Sequence, residues 1–558
     1  MDNLRTILFA LLAVVLFLLY QAWQEDYGPG SAGGVPETVQ QQSSTPDIPA
    51  ADPSSAVPSP AAPTPGEIPA SQPATSEGSE TSRIVRVRTD VLDLEINTLG
   101  GTVVHAELPQ MPLSVDNPDV VKELLTTDPY RYYVAESGLI ASEDSLAPKH
   151  DKAIYTASKT DYKLEEGEDS LTLTLKWNNG KGIEVSKHFT FKRGLYDVLV
   201  EHEVTNNSGQ TWVAREYQQL KRSSYKEETE SAFMVFYTGG AVYTDEDKFD
   251  KLDFDELGES QLDRDTTGGW VSFLQHYFVS AWIPAQDQRN HLYSKNLGGD
   301  RYLLGAYGPG KTLNSGETAR FSSTLYVGPK LNKQLKEVAE GFELTRDYGF
   351  LAVIAKPMYW VLETIHDYVG NWGWAIIIFT ILLKLIFYKL SETSYRSMAK
   401  MKKFTPRIQA LKDRYGDDKQ RMQQAMMELY KKEKVNPLGG CLPMLIQIPF
   451  FIALYWVLME SVELRQAPWI LWIKDLSIKD PYFILPLIMG ASMFIQQKLN
   501  PAPPDPMQAK IMQALPIIFT VFFAFFPAGL VLYWVVNNVL SITQQYVITK
   551  RIEAEDSK

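Results

Sequence analysis

One segment of this 558-residue chain has the residue types and spacing of a phosphate-binding loop. Residues 305–312 read Gly-Ala-Tyr-Gly-Pro-Gly-Lys-Thr. Gly305, Gly310, Lys311 and Thr312 stand at the positions that such a loop requires. A working loop also needs a strand before it and a helix after it, because the helix N-terminus holds the phosphate. Residues 312–327 have the composition of a turn and a strand, and Pro309 lacks an amide donor. We therefore expect no nucleotide site here.

Residue types that ligate metals or act as nucleophiles are sparse. Cys441 is the only cysteine, which excludes an internal disulfide and a Cys-x-x-Cys zinc site. The seven histidines form no His-Glu-x-x-His motif and no close pair with ligand spacing. His105, His188, His202 and His276 could act as acids or bases in a sugar-active enzyme, but no motif pairs them with a carboxylate. We predict no metal, no cofactor and no enzymatic activity.

Polar residues within long apolar segments are the stronger functional signal. Thr380, Lys384 and Tyr388 recur every four residues, so they lie on one face of a predicted helix. A helix face with a hydroxyl, an ammonium and a phenol is more consistent with contact with water than with lipid. Lys384 is also less than two turns from Lys389, so extension of its side chain to the lipid headgroups is an alternative.

These residues belong to a chain with several long apolar segments. Six segments have the length and composition of transmembrane helices, which predicts a polytopic α-helical membrane protein. They are residues 7–23, 372–388, 438–459, 482–499, 511–526 and 530–548. The first is not followed by an Ala-x-Ala cleavage site, so residues 1–27 are predicted to be an uncleaved N-terminal anchor.

Charge fixes the predicted orientation. Residues 389–436 contain thirteen Lys or Arg and six Asp or Glu, whereas the whole chain has a net charge of −13. Such a basic connection is typical of the cytoplasmic side. Both termini are then cytoplasmic, including a tail at residues 550–558, and residues 437–549 hold the third to sixth spans.

The basic segment is predicted to form a cytoplasmic helical hairpin that is interrupted at Gly416. Its simplest interpretation is two helices packed through their apolar faces. Methionine-rich surfaces also bind varied helices, and the basic excess suits ribosomal RNA or anionic lipid. The candidate contact residues are Met398, Met401, Met422, Met426, Lys402 and Lys403.

The remaining segments lie outside the predicted bundle. Residues 28–82 are rich in Pro, Ser and Ala and contain no Lys or Arg, which is typical of a disordered linker. Residues 83–346 contain alternating apolar and polar runs, for example 171–177, and predict a large antiparallel β-sandwich followed by a helix. Residues 347–371 are amphipathic but too polar to span, which favours a helix in the membrane interface.

Polar residues are distributed unequally along the spans. Gln447, Asn537 and Asn538 lie in or near the cytoplasmic halves and must find polar partners, because buried amides are costly in a low-dielectric setting. The outer halves are almost wholly apolar. This asymmetry predicts a hydrophilic groove that is open to the cytoplasm and closed towards the outside. The alternative to this groove is a channel or a secondary transporter. A channel would have a polar lining that reaches both faces of the membrane. A secondary transporter would have ionisable pairs or an inverted repeat.

Several short motifs resemble the bacterial YidC family, which is related to the mitochondrial Oxa and chloroplast Albino proteins. The similarity covers residues 347–548 and extends to the β domain. Its motifs are Asn371-Trp-Gly-Trp374, Ser397-Met-Ala-Lys-Met401, Gly416-Asp-Asp-Lys-Gln420, Lys434-Val-Asn-Pro-Leu-Gly-Gly-Cys441, Ser461-Val-Glu-Leu-Arg-Gln-Ala-Pro468, Asp505-Pro-Met507, Phe526-Pro-Ala-Gly-Leu-Val-Leu-Tyr533, Gln275-His-Tyr-Phe278 and Ala281-Trp-Ile-Pro284.

The resemblance implies a Gram-negative inner-membrane insertase and chaperone with a periplasmic domain that is similar to sugar-binding supersandwiches. Implied partners are nascent membrane proteins and the Sec translocon. The basic charge of the hairpin and tail adds the ribosome and membrane lipids as expected partners. A cation of the second span is implied to attract acidic residues of the substrate; the family usually has Arg there, and this chain has Lys384. Tyr533 and Trp534 are expected to guide the emerging apolar helix. The predicted groove residues are thus Lys384, Thr380, Tyr388, Gln447, Tyr533, Trp534 and Asn537.

Overall fold

The computed structural model describes residues 83–141, 147–227, 236–416, 418–432, 442–500 and 506–556. The chain divides into two compact units, one ending at Arg346 and the other beginning at Asp347. The predicted N-terminal anchor and linker, residues 1–82, lie outside the described residues, as do Cys441 and the last two residues of the predicted tail.

The first unit is built mainly from strands. In the described residues they are β1 (Ile84–Arg88), β2 (Asp93–Asn97), β3 (Thr102–Ser114), β4 (Asn117–Leu125), β5 (Tyr133–Ala141), β6 (Thr156–Ala157), β7 (Asp161–Lys163), β8 (Ser170–Asn178), β9 (Ile183–Lys192), β10 (Asp197–Asn206), β11 (Trp212–Arg222), β12 (Gly239–Thr244), β13 (Lys248–Leu252), β14 (Asp263–Thr267), β15 (Trp270–Leu274), β16 (Phe278–Pro284), β17 (Arg289–Asn296), β18 (Tyr302–Tyr307), β19 (Lys311–Leu313) and β20 (Thr318–Pro329). Two short helices accompany them, α1 (Phe254–Glu259) and α2 (Asn332–Val338).

The strands form two sheets. The larger has eleven strands in the order β14-β17-β18-β11-β5-β3-β2-β1-β7, with β19 paired to β11 and β4 paired to β3. The smaller has nine strands in the order β13-β12-β15-β16-β20-β10-β9-β8-β6. Among the described strands, only β1 and β7 pair in parallel. The predicted mostly antiparallel β domain is confirmed.

The main hydrophobic core lies between the two sheets. Leu94 and Leu220 of the larger sheet and Phe189 and Trp282 of the smaller sheet belong to one packed cluster, and each is at most 1% exposed. The indole N–H of Trp282 donates to the carbonyl of Gln219 at 3.1 Å, which connects β16 to β11. The sheets therefore pack face to face.

The segment that matches a phosphate-binding loop lies within this β structure. Gly305 is in β18, and Lys311 begins β19, which pairs with β11. The Gly308 amide between them donates to the carbonyl of Glu216 at 3.1 Å. Because a strand follows β18 in place of a helix, the amides cannot converge on a phosphate as they do in a nucleotide-binding loop.

A buried lysine connects the two sheets. Lys187 of β9 is fully buried, and its ammonium donates to the carbonyls of Gly100, Gly101 and Ser137 at 3.0 Å each. These carbonyls belong to the turn before β3 and to β5 of the larger sheet. Burial lowers the pKa of Lys187 to about 7, and nearby carboxylates partly oppose that shift.

A histidine and a carboxylate also meet inside the sandwich. His202 of β10 is fully buried, and its Nδ1 lies 2.8 Å from Oε1 of Glu216 in β11. Its Nε2 has no hydrogen-bond partner among the described residues. Desolvation by burial lowers the pKa of His202 despite the Glu216 carboxylate. The neutral ring therefore donates from Nδ1–H and leaves Nε2 unprotonated.

The second unit is helical. Its described helices are α3 (Ala352–Val369), α4 (Trp372–Ile386), α5 (Tyr388–Tyr415), α6 (Lys419–Lys432), α7 (Leu442–Glu460), α8 (Ile484–Leu499), α9 (Pro506–Phe523) and α10 (Ala528–Asp556). Buried residues of α3, α4, α7, α8 and α10 share one core. They include Ala355, Ile376, Val457, Met489 and Val531.

Polar caps fix where two of these helices begin. Asn371 Oδ1 accepts from the Trp374 amide at 3.1 Å, and Asn371 Nδ2 donates to the Pro468 carbonyl at 2.9 Å. The Asp480 carboxylate accepts from the Leu485 amide at 2.7 Å and from the Trp472 indole at 3.0 Å. Both caps also anchor the connection between α7 and α8.

In the described ranges, no single helix is both long and apolar enough to cross a membrane alone. The helices Trp372–Ile386 and Tyr388–Ala399 meet that criterion only as a pair, with a bend of 66° between them. The six transmembrane spans therefore stay a prediction.

We expect Lys187→Met to destabilise the β domain by about 2–3 kcal/mol, because three buried carbonyls would lose their donor. The variant no longer buries an ammonium, which is favourable and offsets part of this loss of stability. Lys192→Met is the matched control, since Lys192 is exposed at the end of the same strand. Thermal unfolding of both variants of the full chain, followed by near-ultraviolet circular dichroism, measures the difference. Equal midpoints for the two variants would contradict the role of Lys187.

The β domain should lose stability as the pH falls below about 6.5, the ordinary pKa of histidine. The pKa of His202 is lowered in the folded state, so acid protonates the unfolded chain first and favours unfolding. The contribution is at most about 1.4 kcal/mol per pH unit. His202→Gln should remove this contribution and flatten the dependence of the unfolding midpoint on pH between 7 and 5. An unchanged slope in the variant would show that His202 is not its source.

Candidate functional site

The helices of the second unit surround a cavity of about 440 Å³, which we call the Lys384 cavity. Its lining comes from α4, α5, α7, α8, α9 and α10. Six of the seven sequence-predicted groove residues line it: Thr380, Lys384, Gln447, Tyr533, Trp534 and Asn537. Residues that are far apart in the sequence therefore meet at one polar site.

Lys384 is held by a serine of another helix. Its ammonium donates to Ser541 Oγ of α10 at 2.7 Å, and Ser541 Oγ donates to the backbone carbonyl of Asn537 at 2.7 Å. The Tyr395 hydroxyl of α5 also faces Ser541. No carboxylate is present in the described lining. Lys384 is therefore a half-buried cation with a neutral partner.

The structure separates Tyr388 from the residues with which it was predicted to share a face. Helix α4 ends at Ile386, and α5 begins at Tyr388 after a 66° bend. The four-residue spacing holds only along one continuous helix, so it relates Thr380 to Lys384 but not Lys384 to Tyr388. Tyr388 is not among the residues that line the cavity.

Aromatic rings form one wall of the cavity. The Phe451 ring of α7 lies 4.4 Å from the Trp534 ring in an edge-to-face contact and 6.1 Å from the Tyr533 ring. Trp534 also contacts Phe523 of α9 at 5.1 Å. These ring contacts fix an apolar surface beside the ammonium.

Hydrogen bonds between helices hold the polar side of the cavity. Asn538 of α10 donates to Ser492 Oγ of α8 at 3.1 Å, and Ser492 in turn donates to a backbone carbonyl. Gln545 donates to Asn500 Oδ1 at 3.1 Å. Asn538 thus finds the expected partner on α8, whereas the side chains of Gln447 and Asn537, for which a partner was also expected, line the cavity without a hydrogen bond to a described residue.

Helices α8 and α9 approach closely at a glycine. A Cβ added to Gly490 would overlap Thr520 Oγ1 of α9. This position therefore admits only glycine at the present helix separation, which keeps the Met493 and Gln497 side of α8 next to α9.

Two protein-family models match the chain. The model of the 60Kd inner membrane protein matches residues 364–555, and the model of the YidC periplasmic domain matches residues 84–361. The membrane protein insertase YidC of Thioalkalivibrio sulfidiphilus (strain HL-EbGR7) is 51% identical over 573 residues, with 100% of both chains covered. The chain belongs to the YidC family.

Other members of the YidC family are similar over the same length. YidC of Pseudomonas putida (strain W619) is 47% identical, and YidC of Methylococcus capsulatus (strain ATCC 33009 / NCIMB 11132 / Bath) is 46% identical, each with 100% of both chains covered. The crystal structure of an active YidC insertase with its first transmembrane domain resolved is 20% identical, covers 84% of this chain and 93% of that chain, and has a TM-score of 0.40. The predicted family and its non-enzymatic, bacterial inner-membrane role are confirmed.

Several residues of this YidC chain line the cavity but were not predicted from the sequence. Ser541, the acceptor for Lys384, lies four residues after Asn537, which is the same spacing that relates Thr380 to Lys384. This four-residue spacing on the sixth predicted span could have indicated that Ser541 belongs to the site. Ser391, Ser394, Tyr395 and Met398 of α5 also line the cavity and belong to a segment that was predicted only as a hairpin.

The predicted hairpin residues lie on two packed helices, α5 and α6. Met426 is buried, whereas Met398, Met401 and Met422 are half-buried. Only the helical backbone is described at Lys402 and Lys403. The Asp418 carboxylate accepts from the Arg421 amide at 3.0 Å and caps α6 after the break at Gly416.

Parts of the outer surface of this unit are apolar although its interior holds a polar cavity. Leu385 and Ile386 of α4 are 63% and 73% exposed, and Ile517 and Val521 of α9 are 70% and 60% exposed. Exposed apolar patches of this kind mark contact with a partner or a membrane. The arrangement is the one expected of an inner-membrane YidC protein.

If the Lys384 cavity holds water, cysteines placed in it should react with a membrane-impermeant thiol reagent. We expect Gln447→Cys and Asn537→Cys to be labelled in a Cys441→Ser background. Val531→Cys is the control, because Val531 is fully buried in the core of the same helix as Asn537. Labelling rates in native membranes measure the difference. Equal protection of all three cysteines would mean that the cavity is dry.

Proposed function

We propose that this chain inserts newly made proteins into the inner membrane through the Lys384 cavity and helps them to fold, alone or with the Sec translocon. The burial and the hydrogen bonding of Lys384 support this function. Its ammonium lies half-buried at a cavity of about 440 Å³ and is bound only to the Ser541 hydroxyl among the described residues. The site is thus prepared for an anion that the chain itself does not supply.

Attraction of a substrate carboxylate follows from this electrostatic arrangement. A cation with a neutral acceptor keeps its full charge for an incoming acid, whereas a resident Asp or Glu would neutralise it. Lysine acts here as a point charge, so the pairing needs no fixed two-point geometry. Release is easy because the ammonium returns to Ser541 when the acidic segment leaves. Transient binding of acidic translocated segments is therefore the role that we assign to Lys384.

The apolar wall provides for the other part of a substrate. Tyr533, Trp534 and Phe451 border the cavity with aromatic rings, and α9 and α10 continue to the exposed apolar surface. A hydrophobic helix that passes along this wall gains about 25 cal/mol for each Å² that leaves water. Partitioning into lipid then drives insertion without nucleotide hydrolysis.

The remaining regions take the places that their charge suggests. We propose six transmembrane spans, with the N-terminal anchor and a linker before the β domain in the periplasm. Helix α3 has one face in the core, while Val353 and Trp360 on the other face are 85% and 64% exposed, which suits a position in the membrane interface. The basic hairpin of α5 and α6 is proposed to face the cytoplasm, where the ribosome or anionic lipid is its partner.

The alternative function, a secondary transporter or channel, is less consistent with the cavity. An ion-coupled transporter needs ionisable partners near the coupling cation. The described lining of the Lys384 cavity contains one ammonium and no carboxylate. A substrate must therefore supply the counter-charge.

Lys384→Ala should reduce insertion of a single-span substrate with an acidic translocated tail by about tenfold, as expected for the loss of a charge-assisted contact. Lys384→Arg should retain insertion, because it keeps the charge. Lys389→Ala is the control, since Lys389 is exposed at the start of α5. Protease protection of the tail in proteoliposomes without nucleotide is the measurement. Equal insertion by the Ala, Arg and wild-type proteins would refute the charge mechanism.

A further inference from the structure

Carboxamides are frequent among the polar side chains in the lining of the Lys384 cavity. Six of them line it, and they come from α7, from the C-terminal end of α8 and from α10. They are Gln447, Gln496, Gln497, Asn500, Asn537 and Asn538. A carboxamide is neutral and carries both donors and acceptors, in the same combination as a peptide group.

Most of these carboxamides have unused hydrogen-bonding capacity. Asn538 is paired with Ser492, and Asn500 is paired with Gln545. By contrast, the side chains of Gln447, Gln496 and Asn537 make no hydrogen bond to a described residue, and Gln497 Oε1 is buried without a partner there. Donors and acceptors from three helices are thus directed into one cavity and are left to be satisfied by what enters it.

The surroundings make this unused capacity significant. The same cavity is bordered by Leu383, Phe450, Phe451 and Met493, so its polar groups are confined between apolar side chains. An unpaired polar group in such a setting is costly, and one that meets a matching partner binds it more strongly than in bulk water. The carboxamides should therefore bind a neutral group that presents donors and acceptors together, beside any carboxylate that pairs with Lys384.

A polypeptide main chain in extended conformation has this chemistry. Its peptide N–H and C=O groups point outward every ~3.3 Å and need partners, whereas those of a helix are already paired within the segment. Side-chain recognition by charge involves only Lys384, which is the single ionised group in the described lining. The carboxamides carry no charge and therefore do not select a substrate side chain by its charge.

We propose that Gln447, Gln496, Gln497 and Asn537 bind the main chain of the translocated segment while it is extended, an inference that rests on the proposed insertase function. Recognition by the backbone makes the cavity tolerant of sequence, and Lys384 adds a preference for acidic residues. The bound segment regains in the cavity some of the hydrogen bonds that it loses on leaving water. The cavity thereby lowers the cost of moving peptide groups into the membrane.

The test uses a chemically synthesised single-span substrate with a neutral Gly/Ser tail, in which alternate amide bonds are replaced by esters. An ester keeps the side chains and removes the N–H donor. We expect the full-length wild-type protein in proteoliposomes to insert the amide tail at least about fivefold faster than the ester tail, as two or more lost hydrogen bonds imply. The variant Gln447→Leu/Asn537→Leu should insert the amide tail more slowly and should lose the distinction between the two tails.

Gln513→Leu is the matched control, because Gln513 is exposed on α9 and does not line the cavity. It should keep the wild-type preference for the amide tail. Equal insertion of amide and ester tails by the wild-type protein would overturn the inference while leaving the insertase function intact, and this comparison does not depend on the folding of any variant. Failure of the wild-type protein to insert either tail would contradict the insertase function itself, and the inference with it.

Discussion

The helical unit is organised around an ammonium group that apolar side chains partly enclose. A charge in such a place requires water or polar partners, and the unit supplies them from helices that are distant in sequence. Ser541 accepts from Lys384, and the Asn537 carbonyl accepts from Ser541, so α4 and α10 are fixed relative to each other by this chain of bonds. The cavity, its carboxamides and its aromatic wall all lie beside that connection.

The two units treat buried charge in opposite ways. In the β domain, Lys187 uses three carbonyls at 3.0 Å and has nothing left to offer a ligand. In the helical unit, Lys384 has one hydroxyl partner and faces open space. A fully satisfied buried ion contributes to the specificity of a fold, whereas an incompletely satisfied ion is suited to binding. The contrast supports the proposal that substrates bind in the helical unit.

Much of this arrangement was predictable from residue type and spacing. The antiparallel β domain followed from alternation, and Thr380, Lys384, Gln447 and Asn537 followed from polarity within apolar segments. Tyr388 was misplaced because the chain bends at Phe387, where neither proline nor glycine marks a break. Ser541 was missed because serine is common within helices, and its role depends on a partner 157 residues away. Contacts of that range leave no local signal in one sequence.

The bend at Phe387 also separates the helix that carries Lys384 from the helix that leads to the basic hairpin. Only the first turns of this 28-residue helix, up to Met398, border the cavity, and the rest extends beyond it for about 25 Å at 1.5 Å per residue. One continuous helix thus borders the cavity with its first turns and packs against α6 with its far part. The cavity wall and the basic hairpin therefore share a single helix, whereas Lys384 belongs to the helix before the bend.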